Sequence, residues 1–319
     1  MRTLATFHCV VSITTAAAFL TACGGSASPT GATNPTSQTS AAATQSDLLY
    51  ASRSSAGTVS VFAFPSGQKV SELTGITNPE GLCSDASGNV YVTTDSGFIY
   101  EYAHGGTSPI QSFSDPDSSQ SGCAVDPTTG DLAVTNLHDS AGNGDVVVFH
   151  SGSQKPKTSR FKNTAEFLYC AYDESGNLYA SGETWHGLPF LVRLPKGGTK
   201  LELLKTSQPI WARSIQWVKN RLLIGAATFK HTGAVSIYPV AVSGDTGKVE
   251  APIQLQSAFG AFGFDQYWTH SNVIVGSGRV DRKGALLFWN YPQGGKPIKA
   301  ISSSSEDLFS GVTVSVGAR

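Results

Sequence analysis

A short hairpin pattern recurs along the chain and constrains its fold more than any other feature. Residues 85–92 read Asp-Ala-Ser-Gly-Asn-Val-Tyr-Val, and the pattern returns at residues 126–134 and 173–180. Each copy has an apolar strand, a tight turn of Gly with Asn or Asp, and a second apolar strand, which is typical of a β-hairpin. Looser copies occupy residues 214–224 and 267–275. A pattern that returns at a steady period predicts a fold built from repeated units.

A second pattern, an alternating apolar strand with Gly or Pro at its end, completes the repeat. Its six copies lie at residues 59–67, 99–106, 146–152, 191–198, 235–239 and 286–295. Four-stranded units about 40 to 50 residues apart predict an all-β fold, a six-bladed β-propeller, with seven blades as the alternative. The chain opens at Leu48 without an innermost strand and ends on an apolar strand at residues 312–316. We therefore expect this C-terminal strand to join the first blade and close the ring.

The hairpin pattern resembles a known family. Together with the preceding Pro79-Glu80-Gly81, the Asp-x-x-Gly-Asn-φ-Tyr-Val segment resembles an NHL repeat. More broadly, it is similar to the six-bladed propellers that include gluconolactonase-type hydrolases and amidating-enzyme lyases. The resemblance implies the fold over residues 47–319. It implies no single function, because one fold hosts many unrelated functions.

The N-terminus predicts export and a lipid anchor. Residues 1–22 combine Arg2, a weakly apolar run and small residues, which is typical of a secretory signal peptide. Cys23 directly after them resembles the lipidated cysteine of a bacterial lipoprotein, and a plain secretory signal is the alternative. Residues 23–46 then form a flexible tether without charged or aromatic residues, and residues 47–319 form the propeller. Since Gly24 rather than Asp follows Cys23, we expect the outer membrane if the organism has two membranes.

Charge excludes one class of partner. The chain has 22 Lys and Arg against 23 Asp and Glu, and only 14% of its residues are charged. A nucleic-acid-binding protein needs a basic face to displace counterions from phosphates. We therefore expect no nucleic-acid partner, and contact with a membrane only through Cys23.

Loops between the second and third strands of each predicted blade share one face with the crossings between blades. We call it the loop face. Irregular loops on a rigid scaffold are where binding residues concentrate. The candidate binding residues on this face are His138, Asp139, Glu183, Trp185, His186, Trp211, Arg213 and His231.

Three of these residues are candidate metal ligands. His138, His186 and His231 come from three predicted blades, and imidazole nitrogens suit Zn²⁺ and other transition metals. Such a site would be similar in kind to that of the amidating lyases. The alternative is that the three histidines are solvated, because successive blades must lean inward to bring imidazoles within about 2 Å of one ion.

The predicted channel offers a second place for a site. The residues before the inner strands are Glu80, Ser121, Leu168, Arg213, Phe262 and Ser310, with Glu166 two residues before Leu168. Resemblance to gluconolactonases implies a calcium site of several oxygen ligands at these positions. Only Glu80 matches that family's motif, and the expected Asn and Asp partners are not found. Alternatively, Glu80 and Arg213 form an ion pair or are solvated.

Cys83, Cys123 and Cys170 lie on predicted inner strands. We interpret them as small buried apolar residues, because a disulfide needs Cα atoms within about 7 Å and neighbouring blades should hold them further apart. The alternative is a disulfide, which an exported protein could form. With no complete catalytic set in the sequence, we expect a non-catalytic module that binds an envelope protein, peptide or glycan without a cofactor. The alternative is a metal-dependent lyase or lactonase-type hydrolase with its site on the loop face.

Overall fold

The chain is all-β in the residues that the structure describes. The computed structural model describes residues 46–116, 118–227, 234–256, 266–280, 283–304 and 307–318. These ranges contain strands and no helix, and so no helix in them is long and apolar enough to cross a membrane. The predicted signal segment, Cys23, His231 and Phe262 lie outside the described residues.

Four sheets of four antiparallel strands, units 1 to 4, form what we call the first region. Unit 1 has β1 (Leu48–Arg53), β2 (Thr58–Ala63), β3 (Lys69–Thr74) and the C-terminal β26 (Val312–Ser315), which pairs with β1. Unit 2 has β4 (Pro79–Ser84), β5 (Val90–Thr94), β6 (Phe98–Tyr102) and β7 (Pro109–Ser114). Unit 3 has β8 (Ser119–Val125), β9 (Leu132–His138), β10 (Asp145–Phe149) and β11 (Lys157–Ser159). Unit 4 has β12 (Thr164–Tyr172), β13 (Leu178–Thr184), β14 (Pro189–Leu194) and β15 (Glu202–Leu203).

The other strands form the second region. They are β16 (Lys205–Thr206), β17 (Ala212–Val218), β18 (Arg221–Ala227), β19 (Ala234–Ser243), β20 (Thr246–Val249), β21 (Ile253–Gln256), β22 (Tyr267–His270), β23 (Val273–Val280), β24 (Lys283–Asn290) and β25 (Gly294–Ser302). Consecutive antiparallel pairing runs from β17 to β20 and from β22 to β25. Strand β21 pairs with β19 and meets β25 at a single residue pair, which links the two sets.

The hairpin pattern folds around its aspartate. One oxygen of Asp85 accepts the backbone N–H groups of Ser87 and Asn89 at 2.9 and 2.8 Å, and the other accepts the Asn89 side chain. Asp173 makes the same bonds in unit 4 at 2.7 to 2.9 Å. Gly88 adopts a positive φ of 86°, which glycine tolerates without steric cost. The predicted hairpins are confirmed, and the aspartate that organises them is a feature the sequence analysis missed.

The apolar core lies between neighbouring units. One cluster packs Tyr50 and Val59 of unit 1 against Leu82 and Val92 of unit 2. Equivalent clusters join units 2 and 3, units 3 and 4, and unit 4 with the second region. Because each unit buries its apolar side chains against the next one, the units position one another's strand ends.

A disulfide joins two units at their innermost strands. Cys83 of β4 is bonded to Cys123 of β8, with their Cα atoms 5.6 Å apart. The prediction that these two cysteines are unpaired was wrong, because adjacent units approach closely at their inner strands. Cys170 is free and buried, and burial raises the pKa of its thiol.

Candidate functional site

The predicted channel positions lie at a break in strand pairing that recurs from unit to unit. Pairing between the first and second strands skips from Pro79 to Leu82 in β4, and equivalent skips occur in β8, β12 and β17. The residues at these breaks include Glu80, Ser121, Leu168 and Arg213. These four positions therefore correspond to one another in the structure, as the sequence predicts. Each inner strand has a different side chain there.

A hydroxyl on the second strand of each unit in the first region fixes these breaks. We call Ser52, Thr93, Thr135 and Ser181 the bridging hydroxyls. Each one contacts its own inner strand, at the break in units 2 to 4 and at Gly311, just before β26, in unit 1. It also contacts a backbone carbonyl at the break of the next inner strand. These carbonyls are those of Glu80 (2.5 Å), Ser121 (2.9 Å), Leu168 (2.9 Å) and Arg213 (2.7 Å). The sequence analysis missed this role, although the hydroxyl residues occupy one fixed place in the repeat.

A pair of like charges lies at the loop face of unit 4. Glu166 and Glu183 are directly opposite each other on β12 and β13. Burial raises the pKa of the Glu166 carboxyl, and the negative charge of Glu183 raises it further, whereas Arg213 and His138 oppose the shift. The structure thus brings three predicted site residues, His138, Glu183 and Arg213, around Glu166. Like charges facing each other across a sheet are destabilising.

A second acidic group lies beside it on units 2 and 3. The amide nitrogen of Asn136 donates to Asp115 at 2.8 Å and to Asp145 at 2.7 Å. Arg160 bridges Asp145 to the predicted site residue Asp139, at 3.1 and 2.8 Å. Burial raises the pKa of Asp145, while Asn136 and Arg160 oppose that shift and the nearby Asp115 and Asp139 add to it. Except for Asp139, sequence analysis missed these residues, since none of them belongs to the repeated pattern.

Two fully buried amide atoms adjoin the acidic group without a partner. The side-chain oxygen of Asn136 and the side-chain nitrogen of Gln120 have no hydrogen-bond partner among the described residues. Both residues are 0% exposed, and they are directly opposite each other on β8 and β9. The free atom of Asn136 is an acceptor, so it suits a hydrogen-bond donor.

The turn between β13 and β14 supplies the apolar part of this face. Trp185 is 61% exposed and Leu188 58%, and His186 between them is also exposed. The backbone N–H of Trp185 donates to the carbonyl of Asn163 at 3.4 Å. This contact places the turn against the crossing at residues 160–163, the crossing that also carries Arg160. The acidic group and the exposed Trp185 therefore adjoin.

The other predicted residues lie near this face but are not all assembled into one site. Glu80 is half-buried and accepts a hydrogen bond from the Ser54 hydroxyl at 2.6 Å. Trp211 is half-buried just before β17. His138 and Glu183 belong to the ends of strands, not to loops, because β9 and β13 extend further than the sequence predicts.

Metal binding stays a prediction. Among the described residues, no group of three or more His, Cys, Asp or Glu is arranged to hold a metal ion. The site predicted from His138, His186 and His231 includes a residue outside those ranges.

A cavity of about 480 Å³ opens on the opposite side of the molecule, among the hairpin turns. Asp85, Asp126 and Asp173 line it, but their carboxylates hold their own turns. Trp217 also lines it and stacks on Tyr179 at 5.5 Å between ring centroids. These three carboxylates are thus used by the fold.

Comparison with known proteins identifies the fold. The family described as "Strictosidine synthase-like, N-terminal" matches residues 66–102. No curated protein sequence matches the chain. Among solved structures, a chain of a nidogen/laminin complex is similar with a TM-score of 0.65 and 15% identity, over 85% of this chain and 98% of that chain.

Two further solved structures are similar to this chain. A protein of unknown function from Bacteroides caccae has a TM-score of 0.62 and 10% identity, over 85% of this chain and 99% of that one. The Cps50 (Swd1) β-propeller domain of Myceliophteria thermophila has a TM-score of 0.55 and 13% identity, over 82% and 86%. The repeated four-stranded units and these similarities together show that the chain has a β-propeller fold.

Proposed function

We propose that this protein is a lipid-anchored binding module of the cell envelope. Its loop face holds a protein, peptide or glycan, and it does not act as a catalyst. The observation that carries the proposal is the exposed pair Trp185 and Leu188 beside the facing carboxylates of Glu166 and Glu183. Two like charges that face each other destabilise the fold. Exposed apolar side chains beside them indicate a surface that contributes more to binding than to stability.

The proposal includes a ring of six blades closed by β26. Its support is the order of neighbours: β26 pairs with β1 and contacts both β4 and β22. Gln266, just before β22, is bonded to Leu82 of β4 and to Val312 of β26. A closed ring protects strand edges and holds the loop face rigid.

Arrays of defined glycans and peptides test the binding function, with the full chain as the probe. We expect Trp185→Ser with Leu188→Ser to abolish binding to the spots that the wild type recognises. The matched control, Val70→Ser with Ile298→Ser, removes two equally exposed apolar side chains from outer strands and should leave binding unchanged. Equal loss in both variants would contradict a loop-face site.

The anchor is tested separately. Cys23→Ser removes the proposed site of acylation, so the protein should leave the membrane fraction and lose its lipid mass. Retention of the variant in the membrane fraction would mean that something other than acyl chains on Cys23 holds the chain.

The second candidate function is a metal-dependent lyase or lactonase-type hydrolase. The match of residues 66–102 to a strictosidine synthase-like family favours it, with His138, His186 and His231 or Glu80 as ligands. Elemental analysis of the full chain tests it. Stoichiometric metal that vanishes when the three histidines become alanine would replace the binding proposal. Metal that survives those changes would direct attention to Glu80.

A further inference from the structure

The loop face of units 2 to 4 carries excess negative charge next to its apolar pair. Its carboxylates are Asp95, Asp115, Asp139, Asp145, Glu166 and Glu183. Glu80 of β4 adds a seventh carboxylate, and the positive groups are Arg160, Lys162 and, from the adjoining β17, Arg213, which leaves four negative charges in excess. A surface of one sign attracts a partner of the opposite sign and speeds its association.

The chain's own Arg160 shows which chemistry the acidic group accepts. One terminal guanidinium nitrogen of Arg160 lies 2.8 Å from Asp139 and 3.1 Å from Asp145. The side chain of Arg160 is 59% exposed, so this guanidinium reaches the carboxylates from the solvent side. These carboxylates can therefore bind a basic head group at the surface.

Part of the acidic group forms no direct ion pair, although the charge of Arg160 also acts on Asp115. Asp95 and Asp115 form no ion pair with any described residue; their hydrogen bonds come from the Ser119 hydroxyl and the Asn136 amide. The buried side-chain oxygen of Asn136, whose amide holds Asp115 and Asp145, has no donor among the described residues. The N–H of Asp115 donates to the carbonyl of Gly97, so the loop after Asp95 adjoins this amide. Two carboxylates and an unpartnered acceptor fit one further lysine or arginine head group.

We propose that the loop face binds a protein segment that carries a lysine or arginine beside an apolar side chain. The basic head group lies among Asp95, Asp115 and Asn136, and the apolar side chain covers Trp185 and Leu188. The crossing at residues 160–163 connects the two places, since Arg160 contacts the acidic group and Asn163 contacts Trp185. This inference rests on the proposed binding function and names its partner.

The test measures fluorescence anisotropy of a labelled peptide of alternating arginine and leucine against the full chain. Two control peptides replace every arginine with glutamate or every leucine with serine. We expect the arginine–leucine peptide to bind at least about tenfold more tightly than either control, with affinity that falls as salt rises. Equal binding of the glutamate peptide would overturn the proposal.

Substitutions locate the site. Asp95→Asn with Asp115→Asn keeps the acceptor oxygens but removes two charges, and it should weaken binding about tenfold. The matched control, Glu202→Gln with Asp245→Asn, removes two exposed charges elsewhere and should leave the affinity within about twofold. Equal weakening by both pairs would show a nonspecific attraction to net charge and would overturn the proposal.

The array experiment separates this inference from the proposed function. If the basic peptide fails to bind while Trp185→Ser still abolishes binding of an array ligand, the loop face is a binding site for another chemistry. In that case the inference fails and the proposed function stands. If no loop-face substitution affects any ligand, both fail.

Discussion

The two regions of the molecule join their inner strands by different chemistry. In the first region, the bridging hydroxyls of Ser52, Thr93, Thr135 and Ser181 connect one unit to the next. In the second region, a glycine, Gly225 of β18, stands at the corresponding break. A Cβ atom at Gly225 would lie 2.8 Å from the buried ring of Tyr267, so no hydroxyl fits there.

Side-chain amides make most of the connection in the second region, and the Ser214 hydroxyl of β17 accepts the N–H of Tyr267 at 3.2 Å. Gln216 of β17 donates to the carbonyl of Thr269 at 3.0 Å and accepts its N–H at 2.7 Å. Gln266 likewise donates to the carbonyl of Leu82 and accepts its N–H, and it also accepts the N–H of Val312. The repeat therefore preserves a task, which is to satisfy backbone groups of the inner strands, and not a particular residue. The candidate site lies in the first region, beside the hydroxyl connections.

Removing the disulfide should produce the largest effect and should act on the first region. Cys83→Ala with Cys123→Ala opens a loop with a sequence separation of 40 residues. Loop-closure entropy then predicts a loss of about 4 kcal/mol in the free energy of unfolding. Denaturant titration measures the loss, and hydrogen exchange should show β4 to β11 more affected than β22 to β25. Uniform acceleration of exchange would mean that the regions do not differ in local stability.

Breaking the amide connection should produce the second largest loss in the free energy of unfolding. Gln266→Met keeps the side-chain length but leaves the N–H and carbonyl of Leu82 and the N–H of Val312 without partners. Unpaired buried backbone groups should cost about 3 kcal/mol in total. If Gln266→Met lowers the free energy of unfolding by less than Thr135→Val does, the amide is dispensable.

Breaking one hydroxyl connection should cost less. The Thr135 hydroxyl accepts the N–H of Gly122 and shares its single proton between the carbonyls of Gly122 and Leu168. Thr135→Val keeps the shape and should lower the free energy of unfolding by about 2 kcal/mol. Thermal and chemical denaturation measure it. The reciprocal change, Gly225→Ser, should also destabilise because of Tyr267, and a stabilised Gly225→Ser protein would contradict the comparison.

The smallest expected effect is at the candidate site itself, where a substitution should stabilise the protein. The pKa of Glu166 is raised in the folded state, so the native protein holds this proton more tightly than the unfolded chain does. Stability is therefore lost as pH rises from the ordinary glutamate pKa through the raised one. Glu166→Gln removes that loss and should stabilise the protein by about 0.5 kcal/mol near neutral pH. Denaturation curves at acidic pH should show no difference; a difference there would point to packing instead.

The repeated elements were predictable from the sequence, because turns and strand alternation are local properties. The Asp-Gly-Asn hairpins, the strand units and the alignment of Glu80 with Arg213 follow from residues close together in the chain. The Cys83–Cys123 bond was not predictable, since it depends on how closely two inner strands approach. Sequence analysis named His138, Glu183 and Arg213 separately. Glu166 was named only as a channel position, and its facing of Glu183, like the Asn136 and Arg160 contacts, depends on strand register and tertiary packing.

The bridging hydroxyls also give the chain a direction. Each hydroxyl belongs to one unit and reaches a carbonyl of the next, so each of units 2 to 4 carries one donor for its successor and one acceptor for its predecessor. A unit copied by gene duplication would thus arrive with both halves of its junctions already in place. Units joined in this way can be added without a new kind of contact, whereas the second region, where Gly225 stands in place of the hydroxyl, needs different chemistry.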